Sequence, residues 1–321
     1  MLDMPQPIST LARPRIAVLI PCYNEEVAIP RVVAAFRQAL PEAEVLVYDN
    51  NSKDRTVAVA IEAGATVRRE TLQGKGNVVR RMFADVEADV YVLVDGDDTY
   101  DAAAAPEMVR MLLDERLDMV TGVRVTDIQA AYRPGHRFGN LMLTGMVRVV
   151  FGDRISDMLS GYRAFSRRFV KSFPALAEGF ETETEFTVHA LELKMPVGEV
   201  RTAYKDRPPG SASKLNTIRD GIRILRTIIG LIRRERPLAF FGAVAAFLLL
   251  AASALFLPVL ATYLSTGLVP RFPTFIASAT LAMLSFLSLA CGLILDTVTR
   301  GRREAKRIAY LAVPGPGAGQ G

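Results

Sequence analysis

Apolar positions along the first 125 residues follow two periods in turn. Short β-rich runs occur at IAVLI (16–20), EVLVY (44–48), ATVRR (65–69), VYVLV (90–94) and 118–123, each of strand length. Between them, residues 25–40, 56–63, 77–86 and 106–115 repeat apolar side chains at helical spacing, with Val32, Val33, Phe36 and Leu40 on one face of the first. Strands alternating with helices predict a mostly parallel sheet covered on both faces, an α/β fold. Beyond residue 124 the alternation loosens. Residues 136–151 read as an apolar helix with sparse Arg, 184–194 as a helix and 197–204 as a strand.

The pattern changes again near the C-terminus. Residues 216–236 set Ile218, Ile222, Leu225, Ile229 and Ile232 against Arg219, Arg223, Arg226 and Arg233, the pattern of a helix lying in a membrane interface or packed on the domain. Its position just before an apolar stretch favours the interface. Residues 238–264 and 274–295 carry no charge, and each exceeds the roughly 20 residues that cross a bilayer. The expected organisation is a loose arm (1–14), an α/β domain (15–215), the interfacial helix (216–236), two transmembrane helices within 237–297 (about 238–264 and 274–296) and a basic tail (298–321).

Charge refines this picture. The net charge is +5, yet residues 200–236 hold ten Lys or Arg against three acids and 298–308 hold five against one, so the remainder is net acidic. Basic residues flanking both spans place the domain and both termini on the cytoplasmic side of an integral membrane protein. The excess beside the spans suits anionic lipid headgroups and argues against nucleic acid as a partner. The 136–151 stretch and the spans are the segments open to a homo-oligomer contact. Cys22 and Cys291 cannot pair, and two His are too few for a metal cluster.

The first four strands each end in polar residues that a parallel sheet brings to one edge. These are Pro21-Cys22-Tyr23-Asn24-Glu25-Glu26, then Asp49 through Thr56, then Gly74-Lys75-Gly76-Asn77, then Asp95-Gly96-Asp97-Asp98. Open α/β sheets bind ligands at that edge. Two carboxylates flanking one small residue can share a hard divalent cation, and glycines beside a lysine admit a phosphate. Singly, each has an ordinary structural reading: Asp54 as a helix cap, Lys75 as a solvated charge, Asn24 as a turn former.

Together, IPCYNEE (20–26), YDNNSKDRT (48–56), GKGN (74–77), VDGDD (94–98), SGYRAFSR (160–167) and RPPGSASK (207–214) make residues 15–215 resemble the family-2 glycosyltransferases of GT-A fold. Within them the resemblance is to the dolichyl-phosphate-mannose-synthase-like polyprenyl-phosphate sugar transferases. It implies that Pro21, Asn24, Glu25, Asp49, Asn50, Lys75, Asp95 and Gly96 bind a UDP- or GDP-linked sugar, with Asp49 on the base. It implies that Asp95 and Asp97 hold Mg²⁺ or Mn²⁺ on the diphosphate. The family usually carries two acids where this chain has Asp49-Asn50, a departure inside the nucleotide site.

A polyprenyl phosphate oxygen is already anionic, so positive charge matters more to it than a general base. Arg163, Arg207 and Lys214 are the candidates for placing it, with Ser211 and Ser213 as donors. Arg207 and Lys214 equally suit lipid headgroups. Asp157 and Glu183 are candidates for orienting the nucleophile or acting as base, although the acids at 181, 183 and 185 also read as a solvated edge. The expected function is a membrane-anchored, inverting transfer of one sugar to polyprenyl phosphate on the cytoplasmic face. The rivals are a transferase acting on another lipid or glycan, and a non-catalytic nucleotide-sugar-binding scaffold. The absence of Trp excludes the Gln-x-x-Arg-Trp motif of processive synthases.

Overall fold

Strand β1 (Ile16–Cys22) is buried along nearly its whole length, because helices cover both of its faces. It lies between β2 (Glu44–Asp49) and β4 (Val90–Leu93), parallel to both, and β3 (Thr66–Arg69) extends the parallel run beyond β2. The computed structural model describes residues 13–125, 155–177, 179, 181–205, 229–230, 233 and 236–316. Within these, β5 (Met119–Val125), β6 (Arg163–Ser166) and β7 (Val197–Ala203) complete a seven-stranded sheet of order β3-β2-β1-β4-β6-β5-β7. β6 runs antiparallel to both of its neighbours, which makes the sheet mostly parallel.

Helices α1 (Ile29–Ala39), α2 (Thr56–Glu62), α3 (Lys75–Asp85) and α4 (Ala105–Asp114) connect the first five strands. On α1, Ile29, Val32, Val33 and Phe36 are buried at helical spacing, and Pro30 stands in its first turn, where the missing N–H costs no hydrogen bond. With Met108, Val109 and Leu112 of α4 they cover the face formed by Ile16, Val18 and Ile20. The other face is aromatic. Phe83 of α3 meets Phe165 of β6 at 5.8 Å, and Phe165 stacks on Phe169 at 4.5 Å. Phe169 belongs to the short helix α5 (Arg167–Ser172), and Phe186 of α6 (Thr182–Glu192) closes the cluster.

Neither β6 nor α5 follows from the hydrophobic pattern. Arg163, at the head of β6, reads as polar yet is wholly buried. The 136–151 helix and most of 216–236 lie outside the described residues.

Contacts divide the chain into two units, Met1–Gly221 with Lys306–Gly321, and Ile222–Ala305. The second holds α7 (Pro237–Thr266) and most of α8 (Phe272–Leu311), both long and apolar enough to cross a bilayer. They pack through small residues: Ser285 Oγ donates to the Ala245 carbonyl (2.8 Å), and Ser288 Oγ to that of Phe241 (3.0 Å). A Cβ on Gly292 would stand 3.0 Å from Phe241 Cβ, so glycine permits this approach. Large residues such as Phe247, Leu250 and Phe286 point outward.

The stretch expected as a tail continues α8 as helix to Leu311. Charge ends a membrane span but does not break a helix. Its last part belongs to the first unit, where Lys306 Nζ meets Glu192 (2.7 Å) and the Tyr310 hydroxyl donates to buried Asp118 (2.8 Å). Asp118 also receives Ser166 Oγ and both arms of Arg168, whose guanidinium lies 4.7 Å over the Tyr310 ring.

Candidate active site

Because β1, β2 and β4 are parallel, the segments that follow them converge on one edge. The first two are laced together. Asn24 N–H donates to Ser52 Oγ (2.9 Å), Lys53 N–H to Asn24 Oδ1 (2.8 Å), and Glu25 N–H to Thr56 Oγ1 (2.8 Å). Asn24 and Asn51 both adopt the left-handed conformation that asparagine tolerates. Asp49 is buried and accepts the Ser52 N–H through both oxygens. Asp54 takes the Thr56 N–H and hydroxyl one residue before the N-cap position of α2, which Arg55 occupies. Burial pushes the Cys22 thiol well up, and Glu25, Asp49, Asp95 and Asp97 push it the same way. All four acids therefore bear on one point, and the thiol stays protonated.

The acidic turn packs directly on this floor. A Cβ on Gly96 would stand 2.6 Å from Cys22 Sγ, so the turn passes too close for any other residue without rearrangement. Asp97 is buried and accepts the Thr99 hydroxyl (2.6 Å) and N–H (3.3 Å). Asp95 keeps 30 % of its side chain exposed. Its Oδ2 lies against Gly161, where a Cβ would come within 2.3 Å, and Gly161 N–H donates to the Tyr100 hydroxyl (2.9 Å). The SGYR segment thus lies on the acidic turn because residue 161 has no side chain.

Lys75, the first residue of α3, reaches across to Asp95 Oδ1 and to Glu183 Oε1 at 2.5 Å. Burial alone would lower its pKa, but the two carboxylates outweigh that and hold it well above the ordinary lysine value. Glu183, on α6, is raised by burial against the opposing pull of Lys75. Its Oε2 is buried with no hydrogen-bond partner among the described residues.

Two carboxylates at the end of β4 suit a hard divalent cation by donor chemistry. Among the described residues no third His, Cys, Asp or Glu joins them, so a diphosphate and water would have to complete the oxygen shell.

The other candidates fall differently. Asp157 is held bidentate by Arg124 (2.7 and 2.8 Å). Burial opposes its charge, but the Arg124 hydrogen bonds and charge prevail and keep it below the usual carboxylate range. Arg163 must be corrected as a phosphate ligand. It is fully buried and donates to the Met158 carbonyl (2.7 Å), the Ser160 carbonyl (3.0 Å) and Thr187 Oγ1 (2.9 Å). Asn50 is corrected likewise: its amide is spent on residues 70–74. Arg207, Ser211, Ser213 and Lys214 lie outside the described residues. Sequence reasoning missed Thr99, Tyr100, Gly161 and Arg124. Only Gly161 carried a signal, as the glycine of SGYR.

A mostly parallel sheet with a carboxylate pair, a buried lysine and interlaced loops at its carboxyl edge defines an α/β domain with its polar cluster at the sheet edge. The model of "Glycosyl transferase family 2" matches residues 17–173. Glycosyltransferase AglJ of Haloferax volcanii is 35% identical over 235 residues, 71% of this chain and 76% of that protein. The chain belongs to glycosyltransferase family 2 and is a glycosyltransferase. A dolichyl-phosphate hexose transferase of the same organism is 27% identical over 221 residues, 69% of this chain and 95% of that protein. Glucosyl-3-phosphoglycerate synthase of Mycobacterium tuberculosis, crystallised with Mn²⁺, UDP and phosphoglyceric acid, superposes with TM-score 0.55 at 23% identity, covering 69% of this chain and 78% of that one. That likeness establishes the GT-A fold.

Proposed function

We propose that this glycosyltransferase is a membrane-anchored, inverting enzyme that moves one sugar from a UDP- or GDP-linked donor to a polyprenyl phosphate at the cytoplasmic face. The observation that carries the reading is a family-2 site followed in the same chain by two apolar helices of membrane-spanning length. An enzyme acting on soluble acceptors has no need of them. Similarity to a dolichyl-phosphate hexose transferase supports the acceptor class. Basic residues flanking the helices favour the cytoplasmic side.

In this reading Asp49 receives the donor base at the end of β2, and Pro21, Asn24, Glu25 and Gly96 shape the floor around it. Asp95 and Asp97 hold Mg²⁺ or Mn²⁺, which when bound offsets the charge on the departing nucleoside diphosphate. Lys75 adds a second positive charge beside that leaving group, and Glu183 orients the lysine from behind. Arg207, Ser211, Ser213 and Lys214 receive the acceptor phosphate. Asp157, paired with Arg124, fixes the far wall rather than taking a proton. Attack by an anionic phosphate oxygen, in line with the departing diphosphate, inverts the anomeric carbon.

The test uses purified protein in detergent with Mg²⁺ or Mn²⁺, undecaprenyl phosphate and a panel of labelled nucleotide sugars. Organic-extractable label with one donor, absent in Asp97→Asn, is the expected result. Release of nucleoside diphosphate without labelled lipid would overturn the acceptor and point to another lipid or glycan. A folded protein that binds nucleotide sugar yet turns over none of the panel would favour the scaffold.

A further inference from the structure

Asn50 stands where the family usually carries a second acid, and its surroundings explain the amide. The residue is 4 % exposed. Its Nδ2 donates to the Glu70 carbonyl (2.9 Å) and to the Leu72 carbonyl (2.8 Å). Its Oδ1 accepts from Gly74 N–H (2.8 Å) and from Gln73 Nε2 (3.2 Å). A primary amide has two N–H donors and two acceptor lone pairs, so its capacity is fully used and none is left for a nucleotide.

All four partners belong to residues 70–74, the segment that leads directly into Lys75. The neighbouring bonds act in the same sense. Asn51 Nδ2 donates to the Thr71 carbonyl (2.9 Å), Glu70 N–H to the Asp49 carbonyl (2.9 Å), and Leu72 N–H to Glu70 Oε1 (2.7 Å). Gly74 then opens α3 at φ +130°, a conformation that side chains disfavour and that the Asn50 contact holds in place. One residue later, the Lys75 ammonium lies between Asp95 and Glu183.

We propose that Asn50 is a positioning residue: it does not touch the donor but fixes residues 70–74 so that Lys75 stands over the acidic turn. The proposal rests on the donor-site reading above and goes beyond it, because it moves Asn50 from nucleotide ligand to support. It also makes Asn50→Asp a damaging change here. An ionised carboxylate still accepts from Gly74 and Gln73, but it faces the Glu70 and Leu72 carbonyls with no proton to offer either. Two buried carbonyls then lack donors, and a loop that was satisfied throughout is not.

The experiment has two arms, both on the full chain in detergent. Amide hydrogen exchange is measured without any nucleotide, and UDP or GDP binding is titrated in the presence of Mn²⁺. For Asn50→Asp, exchange across residues 70–77 should quicken about tenfold while β1 and β4 keep their protection, and nucleotide affinity should fall about tenfold. In a Lys75→Met background the same substitution should cost less than about twofold in affinity, because its effect runs through Lys75. Unchanged exchange at 70–77 would overturn the proposal, and so would a full tenfold loss repeated in the Lys75→Met background. Should Asn50→Asp fail to fold, Asn50→Ala removes both donations without adding charge and is read against the same outcomes. If the wild-type chain transfers no sugar, the functional reading falls, while the exchange arm still decides whether Asn50 holds the loop.

Discussion

Two buried cations in this domain, Lys75 at the sheet's carboxyl edge and Arg163 at the end of SGYR, are wired in opposite ways. Lys75 is shared between the Asp95 and Glu183 carboxylates. Arg163 meets carbonyls, a hydroxyl and the Met119 sulfur, and burial pushes its pKa down to about 10 although Glu183 and Asp157 pull it upward. Neutral acceptors hold a cation without asking it to leave. A carboxylate such as Asp95, part-exposed at the sheet edge, can still exchange partners with an incoming ion. On the proposed reading the contrast separates a brace from a working group, although both residues lie in motifs of equal prominence.

That contrast can be broken experimentally. The largest effect belongs to the acidic turn: Asp97→Asn should lower turnover about a thousandfold or more in the lipid-labelling assay while the chain remains folded. Arg163→Met should act on stability instead, since it orphans two buried carbonyls and a hydroxyl. We expect a loss of about 3 kcal/mol in unfolding free energy, with turnover per folded molecule within about threefold of wild type. Lys75→Met should do the reverse, lowering kcat/KM about a hundredfold with a smaller change in melting temperature. A large turnover defect in Arg163→Met, or none in Lys75→Met, would erase the distinction.

The smallest effect concerns a third buried base. His189 lies between Phe169 and Phe173, and its pKa is lowered to about 3 by burial first and by the Lys306 charge second, with Glu192 opposing. The folded value lies below the unfolded one of about 6.5, so the neutral imidazole contributes fully above that pH and its contribution is lost as pH falls toward 3. The slope from this single group is about 1.4 kcal/mol per pH unit. Melting the full chain at pH 7 and pH 5 should show the drop, and His189→Gln should shrink it.

Much of this was legible in the chain, for identifiable reasons. β1, β4 and the middle of β2 are apolar because both faces are covered, and their polar ends had to meet once the strands ran parallel. Asp95, Asp97 and Lys75 were therefore visible as a cluster before any coordinates. β6 was not, since it is four residues long, begins with an arginine and pairs antiparallel against the prevailing pattern. The Arg124–Asp157 pair joins residues 33 apart through tertiary geometry alone, and no local spacing announces it. Asn50 lies where the sequence places it, but its side chain bonds residues 70–74. Its type and position were readable, but what it bonds to depends on a loop that local sequence does not aim.

The contact between Tyr310 and Asp118 joins residues 192 apart in the chain, with α7 and the apolar part of α8 between them. On the ribosome, Asp118, Ser166 and Arg168 emerge early and Tyr310 only after the apolar segment. Domains generally assemble in the order in which they are synthesised, but this one cannot close its last ionic cluster until the apolar segment has been made. Connectivity thus imposes a schedule, with delivery of the apolar helices first and completion of the catalytic body last.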